Sequence, residues 1–196
     1  MEVIDKKTTW EGKFLRSLIL TYRDESGNLR NWEAVERVNC SGIVVIVPIT
    51  KEKEFLLIRQ FRPVLNSFVV EFPAGLNDKG ESLIDAAKRE LIEETGYAAD
   101  EFLFLADGPV SSGMSTEILS VFLAMNVYPA SNNAIELYLT DESESIELIK
   151  TPLHKIYETL EHHRKSKDYI DLKVYGLIEL AKLILEQQSS RAVALK

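Results

Sequence analysis

Gly75-Leu76-Asn77-Asp78-Lys79-Gly80-Glu81, followed after seven residues by Arg89-Glu90-Leu91-Ile92-Glu93-Glu94-Thr95-Gly96-Tyr97, is the stretch on which the reading of this chain turns. Residues Glu81 to Thr95 are rich in Ala, Leu, Glu and Lys and close on Gly96, which predicts a helix. At about 100° per residue, Glu90 and Glu94 lie within ~40° of each other, one turn apart, with Glu93 close by. Like charges at that spacing repel by a few tenths of a kcal/mol per pair, and near the helix C-terminus they also oppose the macrodipole. Selection for stability alone would avoid this, whereas hard divalent cations want clustered carboxylate oxygens. A bare Glu-x-x-Glu-Glu is more often a solvated acidic face. Here the flanking residues argue otherwise. Gly75 and Gly80 bracket a loop that lets backbone carbonyls approach an ion. Arg89 can bridge to Glu81 and fix loop to helix, a pair of modest worth if exposed.

Working outward, Ile43–Val47 and Glu54–Ile58 read as core strands around a Lys51-Glu52-Lys53 turn, and Phe68–Phe72 as another stopped by Pro73. Further strands are expected at Phe102–Leu105, Ile118–Met125 and Ser145–Ile149, with amphipathic helices over Leu153–His163 and Tyr169–Gln187. Strands interleaved with few helices predict an α+β fold, a mixed-sheet sandwich rather than a doubly wound parallel sheet. The first forty residues read as a β-rich appendage. Phe14–Tyr22 and Arg30–Val38 flank the turn chemistry of Asp24–Asn28, a meander too small to stand alone. The organisation expected is therefore a segment 1–40 packed on the rest or on a partner subunit, a domain over 41–190, and a tail at 191–196.

The whole chain of 196 residues carries a net charge of −8, with 45% hydrophobic and 28% charged residues. This is globular composition, and a sequence pI near 5.0 disfavours nucleic-acid binding, which needs a basic face. No apolar run approaches the ~20 residues of a membrane span, and the N-terminus has no secretory h-region, which predicts a cytoplasmic protein without membrane contact. A single cysteine, Cys40, excludes an internal disulfide and a thiolate zinc site. An acidic chain that binds an anionic substrate must do so through local cations or a metal. The acidity is local: residues 81–94 hold five acids against two bases, and residues 141–147 hold four acids and no base.

The stretch from Gly75 to Tyr97 resembles the Nudix box, GX5EX7REUXEEXGU, in which U is a large aliphatic residue. Every fixed Gly, Glu and Arg is present at the family spacing, and Tyr97 at the last U is the one departure. Glu71-Phe-Pro-Ala-Gly75, Gln60-Phe-Arg-Pro63, and the run from Glu11 through Arg37 resemble the ADP-ribose pyrophosphatase branch, which handles nucleoside diphosphate sugars. Pro109 also resembles a proline that this branch places downstream of the box.

The resemblance implies a Nudix fold and magnesium-dependent hydrolysis of ADP-ribose to AMP and ribose 5-phosphate, with manganese as a substitute metal. Other nucleotide sugars, namely GDP-mannose, ADP-glucose or UDP-glucose, are the alternative substrates, and a non-catalytic binding module is a further one. It implies Glu90 and Glu94 as metal ligands with the backbone carbonyl of Ala74, Glu93 as a ligand or as a holder of water at the metal, and Glu81 with Arg89 ordering the loop. A glutamate from the acidic loop, Glu144 in preference to Glu142 or Glu147, is implied as the general base. Phe14 and Trp32 resemble base-stacking aromatics, with Trp10 behind them. Glu33 could accept from a base amino group, and Arg37 and Arg62 resemble phosphate-binding arginines, with Arg59 as second choice. A homodimer that exchanges its N-terminal segments completes the expectation.

Overall fold

In a computed structural model that describes residues 1–77, 80–137 and 145–194, the chain opens with three strands, β1 (Glu2–Glu11), β2 (Leu15–Arg23) and β3 (Leu29–Arg37). They pair in the order β1-β2-β3, antiparallel throughout. Leu18 and Ala34, directly opposite on β2 and β3, are the buried apolar residues of this sheet. The sequence reading expected only the second and third strands. β1 is exposed along its whole length and offers no apolar face to signal it. Its backbone ladder to β2 holds it in place.

The rest of the chain runs β4 (Ile43–Thr50), β5 (Glu54–Arg62), β6 (Ser67–Glu71), β7 (Ala74–Leu76), α1 (Leu83–Thr95), β8 (Tyr97–Ala98), β9 (Glu101–Pro109), β10 (Ile118–Pro129), α2 (Asn132–Leu137), β11 (Ile146–Pro152), α3 (Ile156–Lys165), β12 (Tyr169–Ile170) and α4 (Leu172–Ala194). The main sheet has the order β12-β6-β5-β4-β10-β8, with β11 on β5, β7 on β4 and β9 on β10. β4 and β10 are parallel neighbours, and both read as continuous apolar runs because both of their faces are buried. On one face Val45, Val47, Phe55 and Leu57 pack against Ile156 and Leu160 of α3 and Val174 and Ile178 of α4. On the other, Val44, Ile46 and Leu56 pack against Ala86, Ala87 and Leu91 of α1. The α+β sandwich with a mixed sheet is as the pattern predicts.

Two boundaries differ in instructive ways. α1 starts at Leu83 rather than Glu81 because the Ser82 hydroxyl caps it, accepting from the Asp85 N–H. At its other end Gly96 sits at φ +70°, a left-handed cap whose N–H donates to Ile92 O. α4 runs to Ala194, past the expected end at Gln187. Among the described residues no helix is long and apolar enough to cross a membrane.

The N-terminal sheet docks through β3. Val35 N–H donates to Met114 O at 2.8 Å, and Thr116 N–H donates to Val35 O at 3.1 Å. Trp32 Nε1–H adds a bond to Gly113 O at 3.0 Å. The segment between β9 and β10 thus becomes a seam between the two sheets.

Candidate active site

β7 and α1 bring the acidic cluster together. β7 pairs with β4 at Ile43–Val45, and α1 packs across it, so that Gly75 lies under the Glu90 side chain. A Cβ on Gly75 would sit 1.8 Å from the Glu90 carboxyl carbon, so the carboxylate can occupy its place only because residue 75 is glycine.

Arg89, 6% exposed, is the hub of the site. Its guanidinium donates to Glu81 at 2.7 and 2.9 Å, to Glu90 at 2.7 Å, to Glu93 at 2.8 Å and to the Leu76 carbonyl at 3.0 Å. The sequence reading allowed for an exposed Arg89–Glu81 pair. In the observed pair Arg89 is buried and Glu81 half-buried, which makes loss of the guanidinium expensive. Burial alone would lower the Arg89 pKa, but the hydrogen bonds to Glu81 and the nearby Glu90 and Glu93 charges outweigh it and raise the value.

Glu94, one turn beyond Glu90, accepts from Ala74 N–H at 2.9 Å. Burial pushes its carboxyl well above the usual range; the Ala74 bond opposes this, and the Glu90 and Glu71 charges add to it. Glu71 is likewise raised by burial, against the pull of Arg62, which pairs with it at 2.7 Å. The donor set suits a hard divalent cation: carboxylates crowd around a backbone turn, and one guanidinium faces three of them. As they stand, no three His, Cys, Asp or Glu side chains among the described residues already converge on one ion-sized point. Arg89 draws Glu81, Glu90 and Glu93 to itself, and a cation would compete for them.

These groups floor a cleft of about 750 Å³. Arg62, Arg37 and Phe14 line it, together with Ala74, Glu90, Glu93 and Glu94. Arg37 donates to Glu117 at 2.6 Å across the seam between the sheets. Trp32 and Glu33 lie on the exposed part of β3, outside this lining, and Trp10 is exposed on β1. Arg59 turns elsewhere, gripping Asp168 at 2.7 and 3.0 Å and Glu147 at 3.2 Å. Cys40 donates its thiol to Gly42 O at 3.1 Å. Glu142 and Glu144 lie outside the described residues. Gln60, Asp171 and Lys173 also line the cleft, and sequence reasoning missed them. They come from strand β5 and from the start of α4, and no local pattern links them.

A mixed sheet flanked by helices, with a glycine-seated carboxylate cluster on its loop–helix unit, defines a class. The chain belongs to the NUDIX family of hydrolases, whose domain model matches residues 41–172. It is 30% identical over 185 residues to the ADP-ribose pyrophosphatase of Bacillus subtilis, covering 93% of this chain and 96% of that protein. It is 31% identical over 182 residues to the ADP-sugar pyrophosphatase of Mus musculus, covering 85% and 80%. A solved structure of an ADP compounds hydrolase superposes with a TM-score of 0.74 over 95% of both chains at 22% identity, a likeness of fold.

Proposed function

We propose that this chain hydrolyses the diphosphate of ADP-ribose to AMP and ribose 5-phosphate, with magnesium as its metal and manganese as a substitute. The observation that carries the reading is the carboxylate set lining the cleft: Glu90 seated over Gly75, Glu90 and Glu93 held by Arg89, and Glu94 held by the Ala74 N–H. The near full-length likeness to an ADP-ribose pyrophosphatase supports the substrate. Glu90 and Glu94, with the Ala74 carbonyl, would hold the metal, and Glu93 would ligate it or orient water beside it. A bound divalent cation supplies neutralisation of the diphosphate and polarisation of the attacking water.

The chain's own residues do the rest. Arg89 keeps the carboxylates registered, and Glu81 ties loop to helix through it. Arg62 and Arg37 can exchange their carboxylate partners for phosphate oxygens, since guanidinium pairs equally well with either. Water oxygen bonds to one phosphorus as the bridging P–O bond breaks, and the water proton passes to a carboxylate. Glu144 is the favoured acceptor, with Glu142 and Glu147 as its competitors. Phe14 stands where a base could stack. Trp32 and Glu33, outside the cleft of their own chain, would act on the cleft of a second copy in a cytoplasmic homodimer. Its segments 1–40 would cross to each other's 41–190 hydrolase domains while staying docked on their own through Val35 and Arg37. Sedimentation as a monomer would refute that exchange.

The test is phosphate release, coupled to a phosphatase, from ADP-ribose, ADP-glucose, UDP-glucose and GDP-mannose with and without magnesium. ADP-ribose should be turned over fastest and only with the metal. Glu94→Gln should lower kcat by about 10²-fold or more, the scale seen when one electrostatic group is lost from an active site. Near-normal turnover by that variant would overturn the site. A faster rate on another nucleotide sugar would move the substrate towards that sugar, a reading favoured by the ADP-sugar relative.

A further inference from the structure

The end of the cleft farthest from the N-terminal sheet carries polar groups that the proposed mechanism leaves unused. Sheet order fixes the layout. Glu117 lies beside β10, Ala74 and Gly75 on β7, Gln60 and Arg62 on β5 and Glu71 on β6; Asp171 and Lys173 follow just past β12. From β10 through β4, β5 and β6 to β12 is four strand spacings, about 19 Å. Phe14 and Arg37 belong to the first end, and Lys173 to the last.

Asp171 N–H donates to Val70 O at 3.0 Å, which seats the start of α4 against β6. The Asp171 carboxylate accepts from Lys173 N–H at 2.9 Å and also pairs with the Lys173 ammonium. Both charges reach the Glu71 carboxyl, whose partner is Arg62. Gln60, independently, is 6% exposed, and its Oε1 has no hydrogen-bond partner. Buried amide oxygens are nearly always paired, so an orphan in a cleft wall points to a donor that arrives from outside. An ammonium, a carboxylate and an unpaired acceptor together complement a phosphorylated sugar, whose phosphate accepts and whose hydroxyls donate. A second aromatic base could donate to the two acceptors but would bring no anion to the Lys173 ammonium.

We propose that Lys173, Asp171 and Gln60 form the subsite for the sugar-phosphate end of the substrate. Lys173 pairs with the sugar-side phosphate, and Asp171 and Gln60 accept from sugar hydroxyls. The proposal rests on the hydrolytic reading above and adds which end of the substrate lies where.

Binding of ribose 5-phosphate and of AMP to the full-length protein, measured by titration calorimetry with magnesium present, tests it. Lys173→Met should weaken ribose 5-phosphate about tenfold, the loss expected for one charge-assisted hydrogen bond. AMP should change less than about twofold, and Lys173→Arg should recover part of the loss. Gln60→Met, a variant that leaves the α4 ion pair intact, should weaken the same ligand selectively. Lys165→Met, on the exposed end of α3, should change neither. The subsite is overturned if ribose 5-phosphate binds the Lys173→Met protein as it binds wild type, if both products weaken alike, or if wild type binds AMP alone. Failure of the hydrolytic reading shows separately, as the absence of magnesium-dependent turnover of ADP-ribose by wild type.

Discussion

Arg89 and Arg59 each gather several acidic side chains, on opposite sides of the same sheet. Arg89 lies on α1, and its carboxylate partners come from its own loop–helix unit, no more than eight residues away. Arg59 shares the face of Leu57, packed towards α3 and α4. Its partners are Glu147 and Asp168, 88 and 109 residues along the chain, and it stacks 3.7 Å over the Phe68 ring. Asp168 also meets His163 Nδ1 at 2.9 Å. Arg59 therefore closes a nearly balanced network that pins β5, β11 and the turn before β12. Arg89 is outnumbered by its carboxylates, and the surplus negative charge remains beside the cleft. Balance builds scaffold; imbalance leaves work for a cation.

The sharpest way to break this contrast is to remove each guanidinium in turn. Arg89→Met strands three carboxylates and should cost about 3–5 kcal/mol in urea denaturation, the usual result of breaking a buried ion pair from one side, and abolish turnover. Arg59→Met should cost about 1–3 kcal/mol, because its network is partly open to solvent, and keep turnover within a few-fold. Equal losses of kcat in the two variants would erase the distinction.

A smaller effect is expected from Gly75→Ala, which inserts a methyl where the Glu90 carboxylate lies. Turnover should fall by one to two orders of magnitude and stability by about 1–3 kcal/mol, the range for overpacking. Unchanged kcat would show that the Glu90 position is not needed.

The smallest effect concerns acid. The hydrogen bonds from Arg59, with the help of His163, hold the Asp168 carboxyl below the usual carboxylate range. A depressed folded pKa gives stability that is present above the unfolded value of about 3.9 and is lost as pH falls through the folded one. The wild-type melting temperature should therefore drop more steeply below about pH 4 than that of Asp168→Asn. Parallel acid profiles would remove Asp168 from the balance described for Arg59.

The same two arginines show what the sequence could reveal. The Arg89 cluster was legible because all of its parts lie within Gly75–Gly96, where helical geometry turns spacing into proximity. The Arg59 network could not be read, since nothing local marks Asp168 or His163 as its neighbours. Gln60 and Lys173 escaped for the same reason: only the order β5-β6-β12 places them in one cleft wall. β1 was missed on other grounds, because a strand held by its backbone at a sheet edge carries no burial pattern. The core strands, by contrast, announce themselves as continuous apolar runs, and α1 through its Ala, Leu, Glu and Lys content closed by Gly96.

The seam at Val35 has a practical reach for anyone shortening the gene. A chain begun at Ser41 would keep every residue by which the family is recognised, since the domain match starts there. It would also lose the strand that clasps Met114 and Thr116, and with it the Arg37 contact to Glu117 that forms part of the cleft wall. Recognising the family thus needs fewer residues than an intact cleft wall, which also draws on Phe14 and Arg37 from the first forty.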